Sequence, residues 1–426
     1  MKKYLLIFVS SLFLETLSMD FSHILYELAN THEETALFSA AKFGDQKKLE
    51  TLLRFGIDEN KSSKSITPLH AAVLGEHTVC VELLLRAGAH VNAATSRSET
   101  ALHFAINSNF ITQMLISYGA YVDATDIYGY VALHNAAAKN QEAVVKSLLQ
   151  AGADVNKIAR GGTSCLHLAA GQASKDLVML LLDAGADINL TNQLGETSLY
   201  VALNNSNQAV VELLLERNAL VDSFSKHGNT PLHLVLKKGD ESCQSNALRL
   251  LKLCSEVNRA DSQKLTPLHI AVKKEYVEVV KCLLGANAQV NVTNYFNETP
   301  LHFAAVSNSY VVKLLLEAGS DPFIQDGDEK TALDKAEEGY FFETELMKNN
   351  KQACIELLCY FMALKKKAAL IKLLSQTKVN LQRFVFFAKL LSLLKNNRSA
   401  CHLTNIPVDI IKIIADYAVN IQPACL

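Results

Sequence analysis

A four-residue word recurs along most of the chain at intervals close to 33 residues. In its clearest form the word reads TPLH, from Thr67 to His70. Ten copies begin at Thr35, Thr67, Thr100, Val131, Ser164, Thr197, Thr230, Thr266, Thr299 and Thr331, at intervals of 32, 33, 31, 33, 33, 33, 36, 33 and 32 residues. Units of this kind contact mainly their neighbours. The period therefore predicts one row of stacked units, although 426 residues could otherwise fill two or three ordinary domains.

One unit can be followed from Thr67 to Asn92. Thr67 can accept the unpaired backbone N–H groups of a helix start, and Pro68 suits the first helical position because its φ is already fixed. After a turn near Gly75 the apolar spacing resumes, and Gly88 is placed to end a second helix in the left-handed conformation. The pattern therefore predicts two antiparallel helices followed by a polar loop that leads into the next unit.

The end of the unit also recurs, as AGAHVN at Ala87, AGADVN at Ala151 and AGADIN at Ala184. Together with the TPLH word and the period of 33, this unit resembles the ankyrin repeat, over about residues 34–339 and ten units. The resemblance implies an all-α fold, an ankyrin-repeat solenoid over 19–339, followed by a small C-terminal helical region. It also implies a concave surface, lined by loops and first helices, that binds proteins.

Seven of the thirteen histidines occupy the fourth position of the word: His70, His103, His134, His167, His233, His269 and His302. An imidazole one turn inside a helix can bond back to the threonine hydroxyl and to backbone of the adjoining loop. A metal or catalytic role would need further ligands or a nucleophile beside each ring, and the neighbouring positions are leucine and alanine. We therefore predict that these histidines join one unit to the next. Phe38, Tyr200 and Asp334 replace them in the first, sixth and tenth units.

Composition and motifs favour binding over chemistry. The net charge of −2 gives no general attraction to nucleic acid or anionic lipid. The sequence has no nucleotide-binding glycine pattern, HExxH, GxSxG or spaced Cys/His cluster. We expect a monomeric, non-catalytic scaffold for a protein partner, without a cofactor, a metal, a nucleic-acid partner or a stable membrane span.

The freedom to specify a partner lies in the loops, because the helices and the recurring words are committed to stacking. Aromatic side chains at solvent-facing loop tips are candidate anchors, since aromatic residues carry much of the binding energy of protein interfaces. The candidates are Tyr128, Tyr130, Tyr295 and Phe296. Alternatively, each ring lies across its own loop and packs against the next one. Weaker candidates are the charged tip residues Arg97, Arg160, Lys226 and His227, since exposed charges are usually only solvated.

The first 18 residues combine a basic start with an apolar run from Tyr4 to Leu14, which is typical of a signal peptide. Glu15 and the lack of an A-x-A site count against a signal peptide, and the second methionine, Met19, is an alternative start of the chain. Both interpretations stay open. The run is too short to span a membrane.

Nine cysteines without CxxC pairs favour buried free thiols in a reducing compartment. We expect the protein to act in the cytosol. If the chain is an exported effector, this is the cytosol of a host cell.

After Gly339 the period stops. Residues 340–400 have apolar runs at helical spacing and 11 Lys and Arg against three Glu, which favours a small helical region with a solvated basic face over lipid or nucleic-acid binding. Within 401–426 the stretch LTNIPVDIIKIIADYAV resembles the opening of an F-box-like (PRANC-like) element. A related element follows the repeats in ankyrin proteins of poxviruses and of some intracellular bacteria. That resemblance implies a second function, adaptor for a ubiquitin-ligase subunit, with docking through Ile406, Pro407, Ile410, Ile411 and Ile414. A purely structural terminal helix is the alternative.

Overall fold

The computed structural model describes residues 36–55, 58–60, 66–239, 242–338 and 345–376. These ranges contain twenty α-helices and one short 3-10 helix, and no β-strand, so the predicted all-α class is confirmed. The signal-like segment 1–18 and the F-box-like segment 401–426 lie outside the described residues, together with Ile406, Pro407, Ile410, Ile411 and Ile414.

The chain divides into two compact units, 1–226 and 227–426. In the first unit, the helices come in pairs, one pair for each repeat. They are α1 Ala36–Phe43, α2 Gln46–Arg54, α3 Pro68–Leu74, α4 Thr78–Ala87, α5 Ala101–Phe104, α6 Asn109–Ser117, α7 Ala132–Ala138, α8 Glu142–Gln150, α9 Cys165–Gln172, α10 Lys175–Asp183, α11 Ser198–Asn204 and α12 Gln208–Glu216. Between α5 and α6 the 3-10 turn Ala105–Asn107 takes up the shorter sequence of the third repeat.

The second unit continues the same alternation and ends differently. Its helices are α13 Pro231–Lys238, α14 Cys243–Leu253, α15 Pro267–Lys273, α16 Val277–Gly285, α17 Pro300–Ala305, α18 Ser309–Glu317, α19 Ala332–Glu338 and α20 Glu345–Gln376. The last helix, α20, is 32 residues long and has no counterpart in the earlier repeats.

The predicted helix boundaries of the second repeat are confirmed. The Thr67 hydroxyl accepts the backbone N–H of His70 at 3.4 Å, and Pro68 is the first residue of α3. At the other end of the repeat, Gly88 has φ +102° and its N–H bonds to the carbonyls of Leu84 and Leu85. Only glycine adopts this conformation without steric cost, so it ends α4 where the chain must turn into the loop.

The core of each unit runs through its first helices. Each first helix packs on the next, from α1 to α11 in the first unit and from α13 to α19 in the second. The leucine of the recurring word is fully buried at these contacts, as at Leu69, Leu133, Leu166 and Leu301. Burying one such side chain stabilises the fold by about 2 kcal/mol. The apolar third position of the word therefore forms the spine of the stack.

A second set of bonds joins the far ends of the repeats, where the VN phrase leaves α4 and its equivalents. Asn92 accepts the N–H of Tyr121 at 2.7 Å and donates to the carbonyl of Gly119 at 3.0 Å, so it spans two repeats. Five further asparagines accept a backbone N–H of the next repeat in the same way: Asn60, Asn156, Asn189, Asn258 and Asn291. These asparagines are structural, whereas the sequence predicts only a polar loop after the second helix.

Helix α20 covers the end of the second unit. It packs against α18 and α19, and its buried side chains are Cys354, Leu358, Cys359 and Met362. Lys365 donates to the Ser320 carbonyl at 3.0 Å. The residues 345–376 therefore pack on the last repeats and take the place of a second helix for the tenth repeat. They lie within the stretch 340–400, for which the sequence predicts a basic helical region.

The seven cysteines within the described ranges are all free, and most of them are buried as predicted. Burial raises the pKa of the Cys165 thiol to about 12, and its sulfur lies 3.0 Å from the Val155 carbonyl oxygen. Cys282 is exposed, so for this residue the expectation of a buried thiol was wrong. It lies on the outer side of α16, where the apolar run VVKCLL is longer than the buried stripe.

Candidate partner-binding surface

The loops between repeats share one local geometry, seen clearly around Asp126. One carboxylate oxygen of Asp126 accepts the backbone N–H groups of both Tyr128 and Tyr130 at 2.8 Å. Gly129 follows with φ +78°, and a Cβ at this position would lie 3.3 Å from the Cα of Ala159 in the next loop. Equivalent acceptors that hold two N–H groups occur at Thr95, Asn192, Asp261, Asn294 and Asp326. Six loops are thus each held in shape by one of their own side chains, whereas Ala159 and Ser225, at the equivalent positions of two other loops, provide no such acceptor.

Neighbouring loops are also joined through their main chains. In the first unit the N–H of Arg160 donates to the carbonyl of Tyr128 at 2.6 Å, and Lys226 donates likewise to Leu194 at 2.7 Å. In the second unit Ser262 donates to His227 at 2.8 Å. The backbone groups at these tips are thus already hydrogen-bonded to neighbouring loops. What a unit binds therefore depends on the side chains at the tips.

The recurring histidines lie behind these loops and are committed to architecture. In all seven, Nδ1 accepts the backbone N–H of the first residue of the word, at 3.0 to 3.3 Å. In five of them Nε2 faces a backbone carbonyl of the next loop at 3.0 to 3.2 Å, as His167 faces Glu196. An accepting Nδ1 and a donating Nε2 require the neutral ring. The predicted link between repeats is confirmed for these five histidines.

Burial is the main reason why these rings stay neutral. It lowers the pKa of His70, His134, His233 and His269 to about 4, against the opposing effect of the loop carbonyls. The pKa values of the other three recurrent histidines are lowered for the same reason. Among the described residues, Nε2 of His70 and of His134 has no hydrogen-bond partner.

In the three repeats without the histidine, other contacts take its place. In the first repeat the Phe38 ring is fully buried and packs with Ala71 and Ile66. In the tenth, the Asp334 carboxylate accepts both the N–H and the hydroxyl of Thr331 at 2.7 Å. Tyr200 in the sixth repeat is buried, and its backbone N–H donates to Thr197.

In the first unit the structure separates the predicted tip residues into two groups. Tyr128, Arg160 and Lys226 are exposed at the tips of three different loops. Tyr130 and Arg97 are half-buried. The Tyr130 ring stands edge-on to the His134 ring, with centroids 5.5 Å apart, and burial raises the pKa of Tyr130 to about 12. Tyr130 is thus not at the solvent-facing tip where we expected it, because its carbonyl accepts from His103 and its ring turns inward.

In the second unit all three predicted tip residues are exposed. Tyr295 and Phe296 are adjacent on one tip and are 62% and 71% exposed, which places two rings side by side in solvent. His227 is exposed at the first tip of this unit. Exposed aromatic side chains in such a pair are unusual on a surface that has no partner.

Sequence reasoning passed over several apolar side chains near the tips of the first unit. Ile127, Ile158, Leu194 and Phe224 are all about half exposed. Ile127 precedes Tyr128, and Leu194 corresponds to Tyr128 two loops later, since each donates its N–H to the side chain that folds its loop. Ile158 and Phe224 directly precede Ala159 and Ser225, which hold the position of Asp126 in their own loops. The signal available in the sequence was an apolar residue within a polar loop.

The described residues hold no group of three or more His, Cys, Asp and Glu side chains arranged to bind a metal ion. None of the helices in the described part of the chain is long and apolar enough to cross a membrane.

Comparison with known proteins agrees with the repeated architecture. The family model described as ankyrin repeats (3 copies) matches residues 14–95, 91–159, 166–261 and 241–326, which is well over half of the chain. Among solved structures, the human ASB11 ankyrin repeat domain is 27% identical, with a TM-score of 0.44, and the match covers 47% of this chain and 91% of that one.

Curated relatives are similar over short stretches of the chain. The transient receptor potential channel pyrexia of Drosophila melanogaster is 32% identical over 26% of this chain and 12% of its own length. The human SH3 and multiple ankyrin repeat domains protein 2 is 35% identical over 26% of this chain and 6% of its own. A putative ankyrin repeat protein of Rickettsia bellii is 47% identical over 13% and 24%. The chain thus spans about a tenth of the length of the first two relatives.

Proposed function

Because the chain belongs to the ankyrin-repeat family, we propose that it is a non-catalytic scaffold that binds a protein partner through its loop tips and the neighbouring sides of its first helices. One observation carries the proposal. The recurring polar groups and the loop backbone are consumed within each unit, while Tyr128, Tyr295 and Phe296 project into solvent. Large exposed rings on a rigid main chain lose little entropy on binding.

Replacing two of these rings tests the proposal. We expect the double variant Tyr128→Ala and Tyr295→Ala to weaken capture of partner proteins by about tenfold or more, because an aromatic anchor is worth roughly 2 kcal/mol. The melting temperature should be unchanged, since both rings are exposed. Partners captured from a lysate by the intact chain and by the variant would be compared by mass spectrometry.

The matched control is Tyr121→Ala with Tyr310→Ala, one exposed tyrosine of each unit away from the loop tips. This control should retain the partners. Equal capture by the tip variant and the intact chain would remove these rings from the binding surface.

A second candidate function is that of an adaptor between the bound target and a ubiquitin ligase. Its support is the sequence pattern Ile406, Pro407, Ile410, Ile411 and Ile414, in a part of the chain outside the described residues. A chain that ends at Ser399 keeps every described residue. We expect it to capture the same targets as the full chain and to lose the ligase component. If neither form brings down a ligase component, the adaptor function is wrong and the scaffold function stands.

A further inference from the structure

We propose that the second unit binds an acidic peptide segment of the partner, on a surface formed by Lys264, Lys273, Tyr295, Phe296 and Phe303. We call it the lysine-aromatic surface. The inference rests on the proposed scaffold function and names the chemistry of the segment that this unit recognises.

Two lysines on this surface have aromatic rings as partners. The Lys264 ammonium lies 5.0 Å from the centroid of the Tyr295 ring, and the Lys273 ammonium lies 5.5 Å from that of Phe303. Both lysines are exposed. In the described part of the chain, neither of them has a carboxylate within ion-pair distance. Their charges are therefore available to a ligand, and the rings hold them in place without neutralising them.

Three acidic side chains near this surface, by contrast, are already neutralised. Asp261 is buried and its carboxylate meets Lys237 at 2.6 Å. Lys335 lies 2.8 Å from Asp326 and 3.2 Å from Glu298. An approaching carboxylate therefore meets the ammonium groups of Lys264 and Lys273, which is the condition for electrostatic complementarity. The exposed acid Glu275, two residues after Lys273, forms no ion pair with it in the described part of the chain.

The repeat template does not require these lysines. A cation near the last turn of a helix offsets its dipole, which accounts for about 0.3–1 kcal/mol at Lys273. The corresponding position holds Lys42 in the first repeat and Lys237 in the seventh. It holds Leu74, Ala138 and Gly171 in the second, fourth and fifth, so the repeat permits a lysine here without requiring one. Lys264 lies in a loop, at φ +57°, where no helix end favours its charge and where asparagine or glycine would be less strained.

The exposed rings give the surface an apolar contact as well as charge. Tyr295 and Phe296 lie on the tip next to that of Lys264, and the Tyr295 N–H donates to the Gln263 carbonyl at 3.3 Å, which fixes the two tips side by side. The following tip carries the exposed acids Asp328 and Glu329. The lysine-aromatic surface therefore ends at Phe296, and an acidic segment would be repelled beyond it.

A peptide fits this surface better than single-stranded nucleic acid. Nucleic-acid binding of that kind stacks bases on open aromatic faces. Here the faces of Tyr295 and Phe303 already carry lysine ammonium groups, so stacking would have to displace both of them. Carboxylates spaced along an extended peptide can instead meet the ammonium groups where they lie, with apolar side chains against the ring edges and Phe296.

Fluorescence anisotropy with the full chain tests the proposal. The probe is a fluorescein-labelled peptide with three repeats of Glu-Glu-Leu-Gly, and the comparison peptide has glutamine in place of glutamate. The variant is Lys264→Asn with Lys273→Gln, since asparagine accepts the left-handed backbone at position 264. The control variant is Lys146→Gln with Lys252→Gln, two exposed lysines on second helices. It changes the net charge by the same amount.

We expect saturable binding of the glutamate peptide that weakens about tenfold in the Lys264/Lys273 variant and as salt is raised from 50 to 500 mM, roughly as for other charge-steered contacts. The control variant should bind as the intact chain does, and the glutamine peptide should not bind. Absence of binding, equal binding of the glutamine peptide, or an equal loss in the control variant would overturn the proposal. So would preferential binding of a labelled 12-nucleotide oligouridylate through the same two lysines.

The outcome is separable from the scaffold function. If the glutamate peptide fails to bind while the Tyr128/Tyr295 variant still loses its captured proteins, the acidic-peptide inference is wrong and the scaffold function stands. If both tests fail, neither proposal survives.

Discussion

Lowering the pH from 7 to 5 is expected to destabilise the repeats by several kcal/mol, because buried histidines that are neutral in the folded chain become protonated when it unfolds. For His70, His134, His233 and His269 the folded pKa is about 4, below the ordinary 6.5. The unfolded chain therefore binds more protons between these values. Stability is complete above about pH 6.5 and falls as the pH drops towards 4.

Each of these four histidines should cost about 1 to 2 kcal/mol between pH 6.5 and 5, at roughly 1.4 kcal/mol per unit of pKa shift. Urea denaturation followed by circular dichroism at several pH values measures the loss. A His269→Asn variant cannot titrate at that position. It should be less stable than the intact chain at pH 7 and should lose less on acidification. A free energy of unfolding that is constant from pH 7 to 5 would show that the rings are not buried neutral.

The second large effect is expected at α20. Leu358 is fully buried where this helix covers α18 and α19, so Leu358→Asp places a carboxylate among apolar side chains. We expect a loss of at least about 3 kcal/mol, since removing a buried leucine already costs 2–5 kcal/mol before any charge is buried. Thermal unfolding gives the size of the loss. Hydrogen exchange should place it first in α18, α19 and α20, because repeats are stabilised by their immediate neighbours.

Leu364→Asp is the matched control, on the same helix but at an exposed position. It should leave both the melting temperature and the exchange pattern nearly unchanged. Equal effects of the two substitutions would mean that α20 does not cover the stack as described. A stable Leu358→Asp variant would mean the same.

The recurring word allowed most of the repeat to be predicted. A helix start needs an acceptor for its unpaired N–H groups, and its end needs a residue that tolerates positive φ, so Thr67 and Gly88 fix both boundaries from local chemistry alone. The role of the histidines followed in the same way, because the partners of His167 lie within one repeat or in the next. Patterns of this kind depend on neighbours in sequence, and the structure confirms them.

The features that escaped prediction depend on contacts between distant parts of the chain. The sequence of residues 345–376 predicts a basic helical region. That this helix packs on α18 and α19 depends on the surface of those two helices, which lies elsewhere in the chain. Tyr130 and Tyr128 are two residues apart on one loop, yet the contact with His134 draws only Tyr130 inward. The pairing of Lys264 with Tyr295 joins two successive loops, and the sequence of either loop alone does not indicate it.

Long-range ¹H–¹⁵N NMR spectra of the histidine side chains, recorded on the folded chain near pH 6, test most directly whether the recurrent imidazoles serve to join repeats. We predict seven neutral rings at His70, His103, His134, His167, His233, His269 and His302, each protonated at Nε2 and unprotonated at Nδ1. Rings that are charged at that pH, that carry the proton on Nδ1, or that shift when zinc is added would contradict this role.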